Sequence, residues 1–169
     1  MADKPMGFRP AYTTHGGPPS VEQCKISGGV VIYQGDVLIM ETGRVLTLTS
    51  TSTSPYGVAG AFTDSTDWDT RIPVYNDLKN TIFIAQTDAS AILGTSLCGP
   101  EIHYDIAAAT GSTISGLSNY EIDDNASNCD HLYIIDKVNR PDNAWGANVD
   151  VYCKFLVDVT ALTSLPTGT

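Results

Sequence analysis

The stretch that decides the fold is Val149-Asp150-Val151-Tyr152-Cys153-Lys154-Phe155-Leu156-Val157-Asp158-Val159. Val149, Val151, Cys153, Phe155, Val157 and Val159 share one face of a period-two pattern, and Asp150, Tyr152, Lys154, Leu156 and Asp158 share the other. Side chains of an extended backbone alternate between faces, so the pattern predicts a long half-buried strand. A helix would scatter the same residues around its axis. A one-residue slip would turn the valine face to water, so the register is expected to be firm. Cys153 lies on the apolar side and reads as a small core hydrophobe.

Working backwards, residues 131–138 (HLYIIDKV) and 81–86 (TIFIAQ) are two further strand candidates. Residues 30–33, 37–40 and 45–49 are short runs rich in β-branched side chains, punctuated by Gly35-Asp36 and Thr42-Gly43 as bulges or turns would be. Residues 56–62 are small and apolar, with Gly57 and Gly60, and suit a close-packed strand. Residues 47–54, almost all Ser and Thr, read as a solvated strand end or a loop. Only residues 88–97 and 104–110 are candidates for a helical turn or two, and neither carries the stripe of a core helix. No internal repeat is visible. The expected fold is mainly β: a β-sandwich or partly closed β-barrel with an extended N-terminal arm and few short helical turns.

Residues 1–23 form the expected arm and residues 24–169 a single β-rich domain. Pro5, Pro10, Pro18 and Pro19 remove amide donors and bias their neighbours to extended backbone, so this stretch is neither helix nor central strand. It is either a loose terminus or an arm laid across a partner. In the second case Phe8, Arg9, Pro10 and Tyr12 are the contact residues. Aromatic rings give an extended segment apolar area to bury, and Arg9 offers a bidentate fork to a carboxylate. Residues 1–10 (MADKPMGFRP) contain no apolar run after a basic residue and read as no secretory signal. No apolar run is long enough for a membrane helix.

The chain has 169 residues, 9 Lys+Arg and 19 Asp+Glu, for a formal net charge of −10. That balance argues against non-specific nucleic-acid binding, which needs a basic footprint. With 42% hydrophobic and 17% charged residues, the chain is too apolar for a disordered acidic tail. Residues 80–136 hold no Lys or Arg. They form either a solvated acidic surface or one complementary to a basic partner. Cys24, Cys98, Cys129 and Cys153 contain no CxxC pair, which removes the usual zinc and thioredoxin-like readings; reduced thiols are expected.

Motifs for chemistry are few. His15, His103 and His131 fall in no HExxH or HxH pair, and there is no GxSxG elbow, phosphate loop or GxGxxG. No catalytic residue, metal or cofactor is assigned. Asp64, Asp67 and Asp69 in DSTDWD, and Asp123, Asp124 and Asn125 in IDDN, are oxygen-rich loops of the kind calcium uses. The EF-hand pattern fails, because Thr66, Trp68, Asp69 and Tyr75 stand where it needs two acids, a glycine and a third acid. Asp64, Asp67 and Asp69 remain a candidate cation loop, with a solvated loop as the alternative.

Gly7-Phe8-Arg9-Pro10-Ala11, Tyr33-Gln34-Gly35-Asp36-Val37, Tyr56-Gly57-Val58, Ser115-Gly116-Leu117-Ser118 and Lys137-Val138-Asn139-Arg140-Pro141 with Asn143 precede the valine-rich final strand. In these scattered short matches, across residues 7–159, the chain resembles the capsid decoration, or cement, proteins of tailed bacteriophages. The resemblance implies a non-enzymatic virion protein made in a host cytoplasm, without nucleic acid or membrane as partner. It would bind major capsid protein on the outer surface of the assembled shell, as a homo-oligomer (dimer or trimer), and reinforce the shell against genome pressure. The rival readings are a tail, connector or head-fibre protein, a β-sandwich carbohydrate-binding module using Trp68 and Trp145, and a small hydrolase built on His103, His131 and nearby acids.

Overall fold

The computed structural model describes residues 4–49, 54–88, 94, 98–123 and 131–156. These residues form strands β1 (Arg9–Thr13), β2 (Glu22–Lys25), β3 (Val37–Glu41), β4 (Arg44–Thr47), β5 (Gly57–Ala59), β6 (Arg71–Tyr75), β7 (Thr81–Gln86), β8 (Asp105–Ala107), β9 (Glu121–Asp123), β10 (Leu132–Lys137) and β11 (Asp150–Phe155), with no helix among them. The deciding stretch is β11: Val151, Cys153 and Phe155 are buried, and Tyr152 and Lys154 between them are half-buried. Residues 157–159 lie outside the described residues, as do Asp124, Asn125 and Cys129.

One sheet has the order β1-β7-β11-β10, a second β2-β6-β5-β3-β4, and β8 with β9 makes a two-stranded third. All ladders are antiparallel, and no sheet closes into a barrel. The β3–β4 turn shows how the sequence sets this locally. Thr42 (φ 46°) and Gly43 (φ 79°) both take positive φ between paired Glu41 and Arg44, the geometry that matches the twist of a two-residue hairpin.

The three sheets together contain the same unit twice, the second copy joining its two-stranded part to β10 through the Tyr104–Leu132 bridge. In the first, Glu22–Val74, Gln23–Pro73, Cys24–Ile72 and Lys25–Arg71 pair β2 with β6. In the second, Phe83–Cys153, Ile84–Tyr152, Ala85–Val151 and Gln86–Asp150 pair β7 with β11 in the same register. The next strand matches too: Val58–Tyr75 and Ala59–Val74 correspond to Tyr133–Lys154 and Ile134–Cys153. The hairpin β3–β4 corresponds to β8–β9, with Met40–Val45 matched by Ile106–Ile122. Each hairpin returns to the first strand of its unit through one parallel bridge, Ile26–Val45 in one case and Thr87–Ile122 in the other. The bond from the Ser27 N–H to the Val45 carbonyl (2.9 Å) has its counterpart from Asp88 to Ile122 (3.0 Å). Strands β2–β6 and β7–β11 are thus two copies of one five-stranded topology, where the sequence shows no repeat. Matched core positions share burial rather than identity, while others such as Glu22 and Phe83 or Arg71 and Asp150 do not, so the repetition resides in backbone pairing.

The interiors correspond as well. Cys24, Ile26, Leu38, Val45, Ala59, Ile72 and Val74 are buried inside the first unit. Their counterparts Ala85, Thr87, Tyr104, Ile122, Ile134, Val151 and Cys153 are all buried in the second. Val37, Leu48 and Val58 of the first unit join the second unit's core, so that core seals the two together. Within the first unit, Gly57 lets β5 lie close against β6, since a Cβ there would lie 2.5 Å from Val74 Cγ1 and 2.9 Å from the Tyr75 carbonyl oxygen.

Three expectations are corrected. Residues 8–13 are no free arm: β1 is an edge strand on β7, and the Phe8 ring is 1% exposed against Phe155 (centroids 5.4 Å apart). Proline is tolerated there because an edge strand does not need every amide, and the register shifts between Pro10 and Tyr12. Residues 104–110 give strand β8 instead of a helical turn, because Ile106 pairs with Ile122 and that burial overrides the helix preference of the alanine run. Residues 30–33 give only one isolated bridge, Ile32 to Thr63, because positive-φ Gly29 and Gly35 bracket the stretch. Of residues 88–97, only 88 and 94 are described.

Candidate interaction surface

One face of the β1-β7-β11-β10 sheet covers the core, and the other carries Arg9, Tyr12, Ile84, Tyr152 and Asp136. Strand pairing builds it in rows. Arg9 lies opposite Ile84, Ile84 opposite Tyr152, and Tyr152 opposite Asp136, spanning four strands. Tyr12 lies opposite Ile82, and its ring meets Tyr152 edge-on at 5.8 Å, a favoured aromatic geometry. Tyr12 is 47% exposed. Arg9, Ile84 and Tyr152 are half-buried. The Arg9 Nε is buried and has no hydrogen-bond partner among the described residues.

The end of this face is fixed by a buried polar knot. Asp150 accepts from Arg140 Nη2 at 2.6 Å and from Gln86 Nε2 at 3.4 Å. Asn143, 1% exposed, donates to the Val138 and Asp150 carbonyls and accepts the Asp150 N–H. A buried amide with every bond satisfied holds the β10–β11 connection in one conformation.

Of the expected contact residues, Arg9 and Tyr12 come together on this surface. Phe8 and Pro10 do not: Phe8 is in the core, and Pro10 faces Phe83. Tyr152 was legible only as the polar-side partner in an alternation; register alone brings it to Tyr12. The acidic loop does not gather a cation site. Asp67 accepts the Asp69 N–H, and Asp69 pairs with Lys25 at 2.5 Å, which holds the Asp69 carboxyl below its usual range. No cluster of metal-ligating side chains occurs among the described residues.

The histidines are dispersed. His15 meets Thr14 Oγ1, His103 meets the Pro100 carbonyl, and His131 is buried with its Nδ1 3.4 Å from Asp105 Oδ1. Trp68 is 53% exposed, with Arg44 over its ring at 5.2 Å and donating to its carbonyl. Trp145 packs against the core, so the two tryptophans do not form a shared platform. Cys24, Cys98 and Cys153 are free thiols, and burial pushes all three above the ordinary thiol range.

A buried acid also went unread in the sequence. Asp36, 1% exposed, borders a cavity of about 350 Å³ lined by Tyr33, Tyr120, Thr47, Val31 and residues 108–110. Burial pushes its carboxyl up to about 6, opposed by hydrogen bonds from Ser118 and from the Tyr33 N–H at 2.9 Å. Tyr120 donates to the Leu48 carbonyl at 2.7 Å, and burial raises its phenol as well. The group ties residues 33–36 to 118–120 and to the end of β4. Among the described residues, its lining supplies no histidine, cysteine or lysine to share proton transfer. An acid placed between two apolar runs, after Gly35, is the signal that reveals it.

No family model, no curated protein and no solved structure matches this chain.

Proposed function

We propose that this chain is a structural virion protein that decorates and stabilises an assembled phage capsid. It binds major capsid protein on the outer shell surface, works as a homo-oligomer and performs no catalysis. It is made in the host cytoplasm and ends on the virion exterior. The observation that carries the reading is the tyrosine-centred outer face of the β1-β7-β11-β10 sheet. Aromatic side chains with a neighbouring arginine are the residue types that dominate binding energy at protein contacts. This face rests on ladders that leave little freedom to lose on binding, which favours affinity.

In this reading the two units form a sandwich-like body of partly closed curls, and Tyr12, Tyr152 and Arg9 make the contact. The resemblance of short stretches to decoration proteins and the strand-only architecture of the described residues support it. A co-sedimentation titration with phage shells lacking the protein tests it. Saturation at hundreds of copies per shell, with a higher shell melting temperature, is expected. A handful of copies would move the protein to a tail or connector role, and no binding would remove it from the capsid.

A further inference from the structure

The duplicated topology exposes a difference that neither unit shows alone. In the second unit, the outward edge of β7 is covered by β1 through Arg9–Ile84 and Tyr12–Ile82. The matching residues on β2 are Gln23 and Val21. Because β2 and β7 hold the same register against β6 and β11, these residues turn their backbone groups outward just as Ile84 and Ile82 do. Beyond Lys25 the edge is occupied, since the Ser27 N–H donates to the Val45 carbonyl. Along Val21, Gln23 and Lys25 no strand is paired on the outward side among the described residues. Val21 is 48% exposed, and Glu22 and Gln23 are exposed.

An open edge of this kind is a template for another strand. We propose that the outward edge of β2 is a strand-addition site whose occupant is the same edge of a second copy, paired antiparallel about Gln23. Three observations select this occupant and register. The matched edge of β7 takes its neighbour antiparallel, and a two-fold axis across the sheet pairs a strand with its own copy antiparallel. Centring on Gln23 uses Val21, Gln23 and Lys25 together, setting Val21 against the copy's Lys25 and Glu22 against its Cys24. Centring on Glu22 would oppose two carboxylates, and centring on Cys24 would need the Ser27 amide already given to Val45.

Charge also favours the first unit as the meeting place. Residues 1–79 hold six Lys/Arg and eight Asp/Glu, a formal −2, whereas residues 80–169 hold three and eleven, a formal −8. Two copies therefore meet with least repulsion on the β2 side. This inference deepens the homo-oligomer part of the proposed function and does not depend on capsid binding, so its test needs no shells.

Sedimentation velocity of the full chain at about 100 μM detects any dimer with a micromolar Kd. A dimer is expected. Gln23→Lys and Gln23→Glu each place like charges face to face across the axis and should weaken the dimer by about tenfold or more. Mixing the two variants in equal amounts should restore it. Position 23 is exposed, so unchanged melting temperatures are expected to show that both variants fold. A monomeric wild type, a closed trimer, or a dimer indifferent to both charges overturns the proposal.

Discussion

The two five-stranded units have the same strand order and register but differ in what covers their first strand and in how they fill their interiors. The second unit has β1 on its edge and Leu132 at the buried start of β10. Among the described residues, the first has no strand on that edge, and it has Gly57 at the corresponding position of β5. Backbone pairing tolerates these changes because a ladder specifies which residues face one another and leaves their side chains to packing. The same scaffold therefore serves one unit as a seat for the N-terminal strand and leaves the other able to extend its sheet.

Removing what distinguishes the second unit should have the largest effect. Phe8→Ala deletes the ring that seats β1 against Phe155, and such truncations of a buried Phe cost about 4 kcal/mol. Urea unfolding should show that loss. A loss under about 1 kcal/mol would mean that Phe8 is not a core residue.

The Gly57/Leu132 pair sharpens the comparison, because the same substitution should fail in opposite ways. Leu132→Ala opens a cavity and costs about 3 kcal/mol. Gly57→Ala puts a Cβ 2.5 Å from Val74 Cγ1 and costs about 2 kcal/mol by overpacking. Val74→Ala should relieve part of the cost of Gly57→Ala, the 2.9 Å approach to the Tyr75 carbonyl remaining, and none of the cost of Leu132→Ala in a double-mutant cycle.

Asp36 gives a pH-dependent contrast. Its folded value, about 6, lies above the ordinary 3.8, so the folded protein holds this proton more tightly than the unfolded chain. Stability from this group is therefore highest below about pH 4, falls as pH rises to about 6, and stays low above that. Asp36→Asn should stabilise by about 2 kcal/mol at pH 8, less than the roughly 3 kcal/mol the shift implies, because the new amide must find its own partners. Near pH 4 it should be neutral. A stabilisation equal at both pH values would assign the effect to packing instead of charge.

The smallest stability change is expected at the surface. Tyr12→Ala should cost under about 1 kcal/mol of folding stability, yet weaken shell binding by about tenfold or more. Equal binding by the variant would remove the outer face of the sheet from the contact.

The fold was legible where burial alternates strongly. Strands β7 and β10 lie where the TIFIAQ and HLYIIDKV stretches place them, β11 covers Asp150–Phe155 of the valine-rich stretch, and β3 and β4 lie near their expected positions. Strand β1 was hidden because Pro10 argues against a strand and only an edge position makes it acceptable. Strand β8 was hidden because Ala107, Ala108 and Ala109 favour helix until Ile106 meets Ile122. The duplication was invisible because Cys24 and Ala85, or Val74 and Cys153, share burial without likeness. Arg9 and Tyr12 stood out in the sequence by their chemistry, and the structure places both on the outer face of the sheet. Tyr152 and Asp36 were not, since one reaches the surface patch through register and the other reads as turn punctuation.

The most direct test of the contrast between the units is residue-resolved hydrogen exchange on dilute, monomeric protein. The account predicts strong protection of the Ile82 and Ile84 amides beneath β1 and fast exchange at Val21 and Gln23. Equal protection of both edges under those conditions would contradict it, because β2 would then already have a partner within its own chain.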